Sequence, residues 1–151
     1  MFRTLILAAP ALALILAPLS AAAEETIRYR SDQSYDDVVF NLENAILDRG
    51  LVVDTVHEVG DMLSRTREDV GSDVVIFEEA AVFSFCSAQL SRKAMEADPM
   101  NIAFCPYGIF VAQVAGDESH TVVGYRSLPD GAMQEVQALL DSLARGATGQ
   151  N

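Results

Sequence analysis

The sequence predicts an α+β fold, a curved and mainly antiparallel sheet with helices packed on one face. Three observations lead there. Alternating strand patterns and helical apolar stripes are mixed along the chain from residue 24 to 146, which calls for a sheet and helices in one unit. The last two strand patterns are joined by Gly116-Asp117-Glu118 alone, which makes a hairpin and so argues against a doubly wound parallel sheet. No internal repeat or low-complexity linker divides the chain, so one compact domain is expected.

Ahead of these elements, Arg3 precedes an apolar run from Leu5 to Leu19 that ends in Ser20-Ala21-Ala22-Ala23. A run of about 15 residues falls short of the roughly 20 that cross a bilayer core, and the small residues before Glu24 form a cleavage pattern. The expectation is a secretory signal peptide at 1–23, a folded domain at 24–146 and a flexible tail at 147–151. An uncleaved anchor is the alternative. No cysteine lies near the cleavage point, which argues against a lipoprotein. Export places the protein in the bacterial periplasm, with no membrane attachment once the signal is removed.

Thr26, Ile27, Arg28 and Tyr29 alternate weakly as a first strand. Ser34 offers an N-cap with Asp37 three residues on, and Tyr35, Val38, Leu42, Ala45 and Ile46 follow at helical spacing until Gly50. Leu51, Val53, Thr55 and His57 alternate with Val52, Asp54, Val56 and Glu58 as a second strand. A short helix over Asp61–Val70 would turn Met62, Leu63, Thr66 and Val70 inward and stop at Gly71. Ala80 to Cys86 is a strand with Ala81, Phe83 and Phe85 on one face. Ser87 caps the next helix, which carries Leu90, Ala94 and Ala97 and stops before Pro99. Ile102 to Val114 reads as a long strand with a bulge or an edge at Cys105-Pro106-Tyr107-Gly108, because proline cannot donate to a ladder. Ser119 to Arg126 completes the hairpin. A closing helix opens at Asp130, aligns Met133, Val136, Gln137, Leu140 and Leu143, and ends at Gly146.

The 151 residues hold 10 Lys and Arg against 22 Asp and Glu, a formal charge of −12 that excludes a basic nucleic-acid footprint. There is no G-x-S-x-G elbow, P-loop or H-E-x-x-H. The adjacent acids Asp36-Asp37, Glu78-Glu79 and Asp117-Glu118 read as caps, turns and solvated faces. Phe83, Phe85, Phe104, Tyr107 and Phe110 read as core, although a sheet gripped by helices can also leave an apolar ligand cavity.

The soft nucleophiles are Cys86 and Cys105, for which three readings stand. A disulfide suits an exported protein, unpaired buried thiols are ordinary small apolar residues, and a functional thiol or metal site is the third. The functional reading rests on Cys86 preceding a helix N-terminus, with Arg92 and Lys93 nearby to favour a thiolate. A soft-metal or haem site would draw on Cys86, Cys105, His57, His120, Met95 and Met100.

The stretch Phe83 to Val111, FSFCSAQLSRKAMEADPMNIAFCPYGIFV, together with SYDDVVFNLENAILDRGL at the first helix, resembles domain-of-unknown-function family 302. In that family a strand ends at a cysteine, a helix with an Ala-Asp-Pro-like corner follows, and the next strand opens with a Pro/Cys pair, here Cys105-Pro106. The resemblance implies a TATA-binding-protein-like α+β fold, β-α-β(4)-α with an added helix and often dimeric, and it implies no established activity. The expected function is a periplasmic small-ligand-binding or accessory protein and not an enzyme, with an apolar small molecule, a periplasmic protein or a second copy as partner and no cofactor identified. The alternative is a thiol-redox, sulfur-handling or soft-metal protein. The candidate site is Cys86, Cys105, Ser87, Arg92, Lys93 and the bend Pro106-Tyr107-Gly108.

Overall fold

The protein is described by a computed structural model that covers residues 25–150, so the expected signal peptide lies outside the described residues. Within it the elements run β1 (Thr26–Ser31), α1 (Tyr35–Asp48), β2 (Val53–His57), α2 (Val59–Thr66), β3 (Phe77–Phe85), α3 (Ala88–Ala97), β4 (Tyr107–Val114), β5 (Thr121–Arg126) and α4 (Met133–Thr148). A 3-10 segment, Pro99–Phe104, links α3 to β4. The five strands form one sheet in the order β1-β5-β4-β3-β2, antiparallel at every neighbour. The α+β reading with an antiparallel sheet and helices packed on it is what the structure has.

One face of the sheet carries the core. Phe83 and Phe85 of β3, Ile109 and Val111 of β4, and Val123 and Tyr125 of β5 are buried against α1 and α4. α1 answers with Val38, Leu42 and Ile46, each wholly buried and spaced four apart on one stripe. Fully burying side chains of this size stabilises by roughly 1.5–3 kcal/mol apiece before chain entropy is counted. The start of α1 is set as its sequence suggests: Ser34 Oγ accepts from the Asp37 amide at 3.2 Å and donates to the Asp37 carboxylate at 2.7 Å.

A polar pin fixes α4 to the sheet. The hydroxyls of Tyr29 and Tyr125 both donate to Asp141 Oδ1, the latter at 2.8 Å, while Arg145 Nε donates to Oδ2 at 2.9 Å. The Arg145 guanidinium also lies 4.8 Å above the Tyr29 ring. Burial by itself would raise the Asp141 carboxyl, but the bonds from Tyr29, Tyr125 and Arg145 outweigh it and hold the group below the usual carboxylate range.

Several elements differ from their sequence reading. The strand expected from Ile102 begins only at Tyr107, because Asp98 accepts from the Met100 amide at 2.9 Å and Pro99 supplies helical φ, which winds 99–104 into the 3-10 segment. Cys105-Pro106-Tyr107-Gly108 is therefore the entry to a strand central in the sheet order, with Tyr107 and Gly108 paired to β3. β3 starts at Phe77 and not Ala80. The strand alternation expected in β2 is broken by an irregularity between Val53 and Thr55, so Val53 and Val56 both pack on the core. The short helix begins at Val59, and Met62 and Val70, expected inward, are 41% and 74% exposed. Gly60 is its buried contact: an added Cβ would lie 2.7 Å from the Ala80 amide.

The closing helix starts at Met133, later than Asp130, and does not stop at Gly146. It continues to Thr148, and Ala147 and Thr148 are buried where a frayed tail was expected. Gly149, at φ 71°, ends it in the left-handed conformation, and Gln150 Nε2 donates to the Arg30 carbonyl at 2.6 Å.

Two outcomes follow for stability. The folded pKa of Asp141 is depressed, so its contribution is complete above the unfolded value near ~3.9 and is lost as pH falls through the folded value. Asp141→Asn is expected to cost about 1 kcal/mol at neutral pH, allowing for solvent screening, with the gap from wild type closing below pH ~4 in urea titrations. Gly124→Ala is expected to cost roughly 1–3 kcal/mol, since its Cβ would lie 2.5 Å from the Ile27 carbonyl oxygen and 2.6 Å from the Phe110 ring. In a Phe110→Ala background the same methyl should cost less but still destabilise, which a double-mutant cycle reads directly.

Candidate functional site

α1 and α4 cover one face of the sheet and leave the other. On that outer face the register aligns one residue from each strand in a row: Arg28, Gly124, Phe110, Val82 and His57. Glycine at 124 lets the Phe110 ring lie across β5, where any side chain would collide with it. A mixed surface results, with an aromatic and a valine at its centre, an arginine at one margin and a histidine at the other.

The sheet is not zipped along its whole length. β4 pairs with β5 only where Phe110–Ala112 meet Val122–Gly124. Beyond this, β4 keeps its pairing with β3 as far as Tyr107, and β5 keeps its pairing with β1 as far as Arg126. β4 and β5 therefore lack registered pairs at this end. Pro106, which has no N–H to offer a ladder, and Gly108, which has no side chain to fill the gap, stand on the β4 side. A cleft of ≈ 460 Å³ occupies the opening, walled by Val82, Ser84, Phe104, Pro106, Phe110 and Arg126 and reaching inward to Tyr125 and Leu140. A neighbouring cleft of ≈ 480 Å³ shares Thr26 and Phe110 with it and adds Arg28 and Val122.

The cysteines sit at the same end of β4. The last pair of the β3–β4 ladder is Phe85 with Tyr107, and the residues just outside it bring Cys86 Sγ to 3.0 Å from Cys105 Sγ. Both are free thiols, Cys86 exposed and Cys105 half-buried. Tyr107 packs edge-on against Phe85, with ring centres 6.5 Å apart, and its hydroxyl bonds Ser91 Oγ at 3.0 Å. Ser91 Oγ in turn lies 4.0 Å from Cys105 Sγ. Ser87 is consumed as the α3 cap, its hydroxyl accepting from the Leu90 amide at 3.3 Å.

Electrostatics at Cys86 run opposite to an activated thiolate. Burial first, then the hydrogen bond and charge of Cys105 and the charge of Asp54, push the thiol up to about 11, against a smaller opposing hydrogen bond from the Tyr107 backbone. Arg92 and Lys93 do not supply the expected support. Arg92 Nε pairs with Glu96 at 2.9 Å, and Lys93 Nζ pairs with Glu135 on α4. The α3 N-terminus is engaged with Ser87. The neighbouring Cys105 thus adds to the cost of ionising Cys86.

The remaining candidates lie apart. His57 is exposed at the end of β2. His120 precedes β5 instead of lying within a strand, and its Nδ1 is 2.6 Å from Asp117 Oδ1. Met95 is half-buried on α3 and Met100 is 69% exposed. Among the described residues no three His, Cys, Asp or Glu side chains converge as a metal would require. Sequence reading missed Arg126, Ser91 and the role of Phe110 as cleft wall; the glycines at 108 and 124 inside strand patterns were the available signal. Alkylation of the reduced protein is expected to accelerate steadily from pH 8 to beyond pH ~10, while a rate that levels off below pH ~8 would contradict the raised thiol.

The comparisons with known proteins agree with this architecture. The family model described as Domain of unknown function DUF302 matches residues 27–144. A crystal structure of an uncharacterised conserved DUF302 protein from Bacillus stearothermophilus is similar at a TM-score of 0.57 and 15% identity, covering 83% of this chain and 94% of the other. At that identity the likeness speaks for the fold. No curated protein matches. With the family model spanning the first strand to the last helix, the chain belongs to the DUF302 family.

Proposed function

We propose that the protein is an exported binding protein for a small amphipathic molecule with an anionic group, held where β4 and β5 part. The observation that carries this reading is the split in the ladder, beside which a cleft lies between β4 and β5 and reaches down to the buried Tyr125 and Leu140. A gap in a packed sheet sacrifices hydrogen bonds and dispersion contacts, and an occupant restores them. Its volume lies within the range of small-molecule sites.

The lining fits such an occupant. Val82, Phe104, Pro106 and Phe110 offer an apolar wall, and Ser84 and Arg126 add polar side chains to the same lining. Arg28 lies beyond Phe110 in the adjoining cleft. In a chain of formal charge −12, the long-range field repels anions, so an anionic group is held at short range by Arg28 on the outer face of β1. Export is part of the proposal and is supported by Arg3 and the Leu5–Leu19 run.

Anilinonaphthalene sulfonate is the test probe, with a medium-chain alkyl carboxylate as competitor. Saturable binding to the native protein, displaced by the carboxylate and not by the matching alcohol, is the expected result. Gly108→Val should abolish it without unfolding, because Gly108 lies in β4 without a positive φ and a Cβ there meets only Val82 Cγ1 at 3.4 Å. Arg28→Gln should weaken the carboxylate roughly tenfold. Binding that survives Gly108→Val, or that ignores the charge of the probe, would overturn the proposal.

A further inference from the structure

We propose that Cys86 and Cys105 form a reversible dithiol–disulfide couple, in which Cys86 is the sulfur that meets an external disulfide and Cys105 is the one that resolves it. This stands on geometry separate from the ligand cleft. The β3–β4 register, ending at Phe85 with Tyr107, holds two cysteines 19 positions apart with their sulfurs at 3.0 Å, within roughly 1 Å of a bond of ~2.05 Å. Both lie next to fixed structure: Cys86 between the last ladder residue of β3 and the capped start of α3, Cys105 between the 3-10 segment and β4. Closure therefore asks for side-chain rotation and little from the backbone.

Exposure assigns the roles. Cys86 is exposed, and Cys105 is half-buried beside Ser91 and the Tyr107 hydroxyl. In the forward direction, the Cys86 thiolate, its proton released to water, attacks one sulfur of an incoming small disulfide. That bond breaks, and one half leaves as a thiolate that takes up a proton. The Cys105 thiol then loses its proton, attacks Cys86 Sγ in the mixed disulfide, and expels the second half as a thiol. Two protein thiols are oxidised and one external disulfide is reduced to two thiols, so electrons and protons balance.

The surroundings also set the direction of use. Strong dithiol oxidants owe their power to a stabilised thiolate in the reduced form. Here the charged side chain acting on Cys86 is Asp54, and Arg92 and Lys93 are paired with Glu96 and Glu135, so the reduced form gains no such stabilisation. The couple favours the disulfide and gives up its electrons to an external disulfide, with a rate that rises with pH as Cys86 ionises.

The test exposes the reduced protein to oxidised glutathione, quenches with an alkylating agent and reads intact mass. Wild type should lose two hydrogens, remain monomeric in mass and carry no adduct, and excess dithiothreitol should reverse this under native conditions. Cys105→Ser should accumulate a glutathione adduct at Cys86, on the order of fivefold more than Cys86→Ser accumulates at Cys105. Circular dichroism of both variants confirms that they fold. Failure of the wild type to close, equal trapping by the two folded variants, or a bridge that native protein never surrenders to dithiothreitol would each overturn the proposal. Because Gly108→Val blocks the cleft and leaves both sulfurs in place, loss of ligand binding and loss of exchange are separable.

Discussion

The antiparallel pairing of β3 with β4 is the constraint from which the other features descend. It runs from Phe77 opposite Val114 to Phe85 opposite Tyr107, the longest ladder in the sheet. Its alternation sends Phe83, Phe85, Ile109 and Val111 to the helices and Val82 and Phe110 to the opposite side. Its last pair brings the two sulfurs together, and its continuation to Tyr107, after β5 has turned aside, creates one wall of the cleft. A shift of one residue would exchange the two faces and undo all three at once.

Both sites therefore share β4 but differ in physical character. The cleft is a local failure of pairing, bordered by a residue without an N–H and another without a side chain. The sulfur pair is a local success of pairing, with groups forced close by register. Charge separates them further: arginines gather on the outer face near the cleft, whereas Asp54 is the charged residue acting on Cys86. A protein with strong net negative charge thus places two arginines around the cleft and an acidic residue near Cys86, whose thiol is held protonated.

What could be read in the sequence was what is decided over a few neighbouring residues. The cap at Ser34, the Val38-Leu42-Ile46 stripe, the inward set Ala81-Phe83-Phe85 and the α4 stripe all follow from one element's own period. Residues 102–104, expected as the start of a strand, are 3-10 because an apolar run fits both conformations, and the Asp98 side-chain bond ahead of it decides between them. The helix end was misplaced at Gly146 because a glycine is a common stop, yet Ala147 and Thr148 pack inward and Gly149 does the stopping. Of the site, the cysteines and the Pro106-Tyr107-Gly108 bend were visible as residue types. Arg126, Phe110 and the split ladder were not, because they depend on which strands neighbour one another, and that is settled by contacts far apart in sequence.

The sheet's two margins face the problem of any open sheet, a row of backbone groups available to a foreign strand. β1 is one margin and carries Arg28 and Arg30, both exposed; β2 is the other, only five residues long and irregular at Val53. Charge at one side and a broken, short template at the other oppose lateral strand addition. Among the described residues, both edges can thus stay open to solvent without offering a template for fibrous assembly.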